Sequence, residues 1–237
     1  MNSSKKSILN SNFTYLAAFV LPVIMMMALY YTRGIFPWGN ECYLRSDMYH
    51  QYAPFFSELW HKIRNGESLT YSWNIGMGTN FTSLFAYYLA SPSNWFVALF
   101  PQKYTIEIMN AFIILKIAGS SLSLTYYLTK HNNNKHVIAA IFGMFYGMSG
   151  FIAAYSWNIM WLDCVILIPL IMLGLERLVN ENRCIFYCIT LGLCIFTNYY
   201  IAIMVCLSVV IYYVVLMIAY NGIKSCLLYT SDAADEE

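Results

Sequence analysis

The chain has 237 residues, of which 59% are hydrophobic, 18% aromatic and 11% charged, with a formal net charge of +1 and a mean hydropathy of +0.54. A soluble domain of this length would carry roughly twice that charged fraction, so a soluble globule is excluded. The near-zero net charge removes the basic field expected of a nucleic-acid binder.

Lys5 and Lys6 precede an apolar run over 13–32. That run has the ~20 residues needed to cross a ~30 Å hydrocarbon core, and no small-residue cleavage site follows it. It is expected to be a retained signal anchor. Residues 33–105 then form the one long non-spanning stretch, too rich in aromatics to be disordered. Its strongest pattern is Arg45-Ser46-Asp47-Met48-Tyr49-His50-Gln51-Tyr52-Ala53-Pro54. On a helix the i, i+3, i+4 spacing of Asp47, His50 and Gln51 puts a carboxylate, an imidazole and an amide on one face. Downstream, Trp73, Asn74, Gly76 and Asn80 surround a Gly-x-Gly, which suits backbone approach to a polar ligand and stacking on a sugar ring. Residues 81–100 are apolar but interrupted by Ser91-Pro92-Ser93-Asn94. They are expected to be interfacial or re-entrant, with Ser91 capping a short helix and Pro92 in its first turn.

Five further spans follow: 106–128, interrupted by Lys116; 137–155, whose Gly143, Gly147 and Gly150 suit close packing in lipid; 161–178; 184–197; and 201–220. Lys5, Lys6, Lys130, Lys135, Arg177, Arg183 and Lys224 all fall on one side of these six spans. The positive-inside rule makes that side cytoplasmic, with the N-terminus inside and the 33–105 loop extracytoplasmic. All six tryptophans fall on the outer side. Asn158, Trp161 and Asp163 lie on one outer turn, and Asn198 and Tyr199 lie at another. Ionisable residues at membrane depth are costly and point to a site or a partner.

Plainer roles compete for several of these residues. Asp163 is as readily a helix cap as a substrate contact, and Asp47 is a less natural cap. His50 reads as a packing or hydrogen-bonding residue and His61 as a solvated loop residue, while His131 and His136 fall on the cytoplasmic side. Lys116 either snorkels or pairs within the bundle. Most of the seven cysteines sit in apolar runs, and Cys184 and Cys188 lack a second pair, so no metal site is expected from them. From Cys226 the sequence leaves the membrane pattern. Residues 226–237 resemble translated adapter sequence and are expected to be non-native, which makes 1–225 the N-terminal part of a longer protein.

The run Ser46–Phe56, the segment Trp73–Phe81, the stretch Tyr87-Tyr88-Leu89-Ala90-Ser91-Pro92, and Trp161-Leu162-Asp163 followed by Ile168-Pro169-Leu170 together resemble the bacterial YfhO family of membrane proteins. That family is similar to the GT-C glycosyltransferases. The resemblance implies an all-α, polytopic, GT-C-like transmembrane bundle in the bacterial plasma membrane, with short interfacial helices in its long first extracytoplasmic loop. It also implies transfer of a sugar from a polyprenyl-phosphate donor to an envelope glycopolymer of teichoic-acid type. Asp47 matches the acidic residue of the first outer loop that would act as general base, and Arg45 is a candidate to stabilise the leaving phosphate. Tyr52 belongs to the same motif, and with the outer-side residues above it is expected to contact substrate. No Asp-x-Asp accompanies Asp47, so a divalent cation is an option rather than a requirement. A transporter or flippase of lipid-linked sugars, or a non-catalytic scaffold, is the alternative.

Overall fold

The computed structural model describes residues 2–133 and 137–234, with side chains described for 12–133 and 137–219. Lys135, and the side chains of Lys5, Lys6, Lys224 and the 226–237 tail, lie outside the described residues. The chain forms helix α1 (Asn2–Thr32), α2 (Ala53–Asn65), a hairpin of β1 (Tyr71–Ser72) and β2 (Thr79–Asn80), and a one-turn α3 (Phe81–Leu84). Then come α4 (Thr105–His131), α5 (Val137–Gly147), α6 (Gly150–Tyr155), α7 (Leu162–Glu181), α8 (Ile185–Thr197) and α9 (Tyr199–Ala234). Apart from one two-stranded hairpin, the described architecture is an all-α bundle.

Four stretches are long and apolar enough to cross a membrane: Asn12–Thr32, Gln102–His131, Val137–Tyr155 and Tyr199–Ala219. Within a bilayer such segments must satisfy every backbone group internally, which dictates helix. The other two positions expected to span hold α7, which carries Asp163, Glu176 and Arg177, and α8, which has only 13 residues. The third span is not one helix. α5 ends at Gly147 and α6 restarts at Gly150, with Ser149 extended between them.

Close packing comes from small residues, since lipid supplies no hydrophobic drive for helices to associate. Gly143 and Gly147 of α5 lie directly against the backbone of Ser121 and Ile117 in α4, and Gly174 of α7 lies against the backbone of Tyr187 in α8. α4 and α7 are the central helices, burying much of their length against each other and their neighbours.

The 33–105 segment is a folded layer. Met48, Phe56, Leu59, Phe81 and Leu89 are completely buried with Met109 and Ile113 of α4 and with Ile159 and Leu162. A second apolar cluster joins α7, α8 and α9 through Ile171, Leu175, Cys194, Val205 and Val209. The layer's short helices are partly π-helical, over Met48–Tyr52 and Phe85–Leu89, and 3-10 helical over Pro92–Leu99 and Gln102–Tyr104. Pro92 takes the first turn as expected, but Ser91 does not cap through its side chain. Its hydroxyl instead bonds Ser93 Oγ and accepts from Lys116 Nζ. The ammonium is the stronger donor, and it draws the hydroxyl away from the helix end.

Candidate functional site

Three segments far apart in sequence meet at the loop-bearing end of the bundle. The Tyr52 hydroxyl donates to Asn158 Oδ1 at 2.9 Å, joining the first π-helical turn to the turn after α6. Asn198 Nδ2 donates to the Tyr87 carbonyl at 3.1 Å, joining the α8–α9 elbow to the second π-helical turn. Rings complete the enclosure. Tyr52 stacks on Trp157 at 6.3 Å and meets Tyr88 at 5.5 Å; Tyr87 meets Tyr199 at 5.6 Å; Trp161 stacks on Tyr200 at 6.2 Å.

Asp47 stands beside this aromatic wall. It is exposed and forms no hydrogen bond or ion pair with the described residues, so it does not cap the helix that follows. Its field reaches Tyr52 and Tyr88. Burial is the main cause that pushes both phenols above the usual tyrosine range, and the Asp47 carboxylate adds to it. Both hydroxyls therefore stay protonated and able to donate.

Asp47, His50 and Gln51 share no hydrogen bond, ion pair or ring contact with one another among the described residues. They lie at a π-helical turn, in which the Ala53 amide bonds the Met48 carbonyl five residues back. His50 is exposed and meets Tyr49 edge-on, and Gln51 is half-buried. Just before Asp47, Ser46 adopts φ +49, the left-handed region that costs an L-residue roughly 1–2 kcal/mol. This reversal separates Asp47 from Arg45, whose Nη2 donates to the carbonyls of Ala153 and Ala154 at the end of α6, at 3.2 and 3.4 Å.

Asp163 lies in the first turn of α7 without capping it. Its Oδ2 accepts from Lys116 Nζ at 2.7 Å, and the same ammonium bonds Ser91 Oγ and the Ile159 carbonyl. Lys116 thus pairs rather than snorkels, and it ties α4, the 91–94 elbow and the 156–161 turn together. Asn198 accepts from the Ile201 amide and so starts α9 as well as holding Tyr87.

The hairpin residues are a separate group. Asn74 Nδ2 donates to Glu58 Oε2 at 3.0 Å, and Asn80 Oδ1 accepts from the Ser83 amide. Gly76 takes φ +60 at the turn, and Trp73 is 77% exposed. None of the four shares a hydrogen bond or ring contact with Asp47, Tyr52 or Asn158 among the described residues.

Glu58, His61 and Glu67 form the one cluster of metal-ligand type found among the described residues. Lys62 Nζ already lies 3.6 Å from Glu58 and 3.7 Å from Glu67, so a protein cation sits where a metal ion would bring its charge. The residues do not fit a divalent ion, and none of them joins the Asp47 group.

The opposite end of the bundle holds a polar cluster with no counterpart in the sequence reading. The buried Glu176 carboxylate of α7 accepts from Tyr127 of α4 at 2.7 Å and from Tyr212 of α9, and it lies 2.9 Å from His131 Nδ1. His131 and Glu176 stand 45 positions apart, a separation with no local sequence signal.

These features define a polytopic helical membrane protein whose chemistry-bearing residues gather in an elaborated loop layer at one end. The chain matches the family described as bacterial membrane protein YfhO over residues 17–232, and it belongs to that family. No curated protein and no solved structure matches it.

Proposed function

We propose that the protein is a membrane glycosyltransferase that moves a sugar from a polyprenyl-phosphate donor to an extracytoplasmic envelope glycopolymer of teichoic-acid type. The orientation that goes with this reading is a multi-pass protein of the bacterial plasma membrane, with its N-terminus in the cytoplasm and the Asp47 layer outside. One observation carries the proposal. Asp47 is an exposed, uncommitted carboxylate beside a wall of phenols and indoles that three loop segments build together. Aromatic faces suit sugar rings, and an unpaired carboxylate suits a general base.

In the transfer, Asp47 takes the proton of an acceptor hydroxyl. The hydroxyl oxygen bonds the anomeric carbon as that carbon's bond to the phosphate oxygen breaks. The electron pair leaves on the phosphate, and the configuration inverts.

The test is envelope glycan analysis in a host lacking the gene, complemented with wild type or Asp47→Asn at equal membrane abundance. Wild type should restore one sugar modification, and the variant less than about 1% of it, the loss expected for a general base worth 10²–10⁴-fold. Full restoration by Asp47→Asn would remove the base and put a transporter of lipid-linked sugars first. The buried Lys116–Asp163 pair favours that second reading, since intramembrane charge pairs recur on substrate and ion paths.

A further inference from the structure

One cavity among the described residues is separate from the aromatic wall. It has a volume of about 650 Å³ and lies between the end of α1, the 33–45 segment, α4 and the α5–α6 break. Its floor is apolar: Met26, Ile117 and Ile152 line it and are nearly fully buried. Leu29 also lines it while 41% exposed, and Leu29 belongs to the spanning stretch Asn12–Thr32. The cavity therefore opens on a membrane-facing side.

Its other end is cationic. Arg33 and Arg45 are both exposed lining residues. The Arg33 side chain makes no hydrogen bond or ion pair with the described residues. Arg45 uses one nitrogen, Nη2, on the α6 carbonyls, and a guanidinium has five N–H donors. Glu41 also lines the cavity, but neither arginine pairs with it among the described residues. Two guanidiniums and one carboxylate leave a charge of +1 around a space with a greasy floor and a lipid-facing side.

We infer that this cavity seats a lipid-linked phosphate: an anionic phosphate ester at Arg33 and Arg45, its single apolar chain running over Ile152, Ile117 and Met26 towards the bilayer. The inference rests on the transferase reading for the identity of the lipid. Charge complementarity selects an anion, and the apolar floor together with the lateral opening selects one delivered on a chain rather than free in water. Arg45 and Asp47 flank the reversed Ser46, so the seat for the leaving group and the candidate base share one backbone turn. Tyr43, on the cavity wall, bonds Ser156 Oγ at 2.7 Å and fixes the cavity to the turn that carries Asn158.

The experiment is equilibrium binding of radiolabelled farnesyl phosphate to the full chain in phosphatidylcholine nanodiscs. Arg33→Gln together with Arg45→Gln should weaken binding at least about tenfold, the scale of losing charge-assisted hydrogen bonds. Ile152→Trp, which fills the floor without touching a charge, should weaken it by about as much. Unlabelled farnesol, phosphatidylglycerol and inorganic phosphate should each compete at least about tenfold less well than unlabelled farnesyl phosphate. Binding unchanged in both variants at wild-type melting temperature, or equal competition by any of the three, overturns the inference. The two variants alter different kinds of lining residue, one charged and one apolar, so a fold defect in one does not hide the answer from the other. No sugar is transferred in this assay, so its failure is distinct from restoration of the envelope sugar by Asp47→Asn.

Discussion

Removing one partner of the Lys116–Asp163 pair should be among the most damaging single changes in the bundle. The two side chains are 5% and 15% exposed and 2.7 Å apart. At an effective dielectric of about 20, that separation corresponds to roughly 6 kcal/mol of attraction, set against a desolvation cost of several kcal/mol per ion. Lys116→Met leaves a largely buried carboxylate without its cation and also removes the bonds to Ser91 Oγ and the Ile159 carbonyl. The expected cost is about 3–5 kcal/mol. Asp163→Leu should cost a similar amount, because the ammonium then stays buried with two neutral acceptors. The double variant should lie within about 2 kcal/mol of wild type, since replacing a buried pair by apolar groups is often neutral. Reversible unfolding in mixed micelles supplies all four corners of the cycle. Single variants that each lose less than about 1 kcal/mol and add without coupling in the double would refute the pair as a structural clamp.

Other changes test other joints. Ser46→Gly should raise stability by up to about 1 kcal/mol, because glycine adopts the left-handed conformation without steric cost; a fall in the melting temperature would contradict that reading. Gly143→Ala puts a methyl into Thr125 Oγ1 and the Ser121 carbonyl, so α5 must move from α4 at a cost of about 1–3 kcal/mol, read in the same unfolding assay. Tyr52 has a folded-state pKa above its ordinary value of 10.0, so its contribution is complete below about pH 10 and is lost as pH rises further. Wild type should therefore lose melting temperature above that pH more steeply than Tyr52→Phe, and identical slopes would remove Tyr52 as a contributor.

Much of the fold is legible because membrane burial writes itself into composition. Apolar length marks α1, α4 and α9, and the glycines of 137–155 announce a close helix contact, whose partner, α4, only the structure shows. The break at Met148-Ser149 leaves no comparable mark, because each half remains apolar and only the backbone at Ser149 turns extended. Asp47, Asn158 and Asn198 are recognisable as polar residues in aromatic surroundings. Their joining through Tyr52 and Tyr87 depends on contacts 106 and 111 residues apart, which no local pattern encodes. The π-helical turn over Met48–Tyr52 is not legible, because the same spacing reads as an α-helical period in the sequence. Lys116 was visibly out of place in an apolar run, but its partner lies 47 residues away. Glu176 stands next to Arg177 in the sequence, and its partners Tyr127 and Tyr212 lie 49 and 36 residues away, beyond any local pattern.

α8 has consequences for the bilayer itself. Its 13 residues rise about 20 Å, some 10 Å less than the ~30 Å hydrocarbon layer. Set across a bilayer it could not reach both headgroup layers, and its polar end at Thr197–Asn198 would lie below one of them unless the membrane thinned to meet it. Lipids around α8 should be shorter or more tilted than those around α9, which makes the protein sensitive to acyl-chain length. A thicker membrane would press on the elbow that holds Tyr87, so the composition of the surrounding lipid bears directly on how firmly the aromatic wall is held.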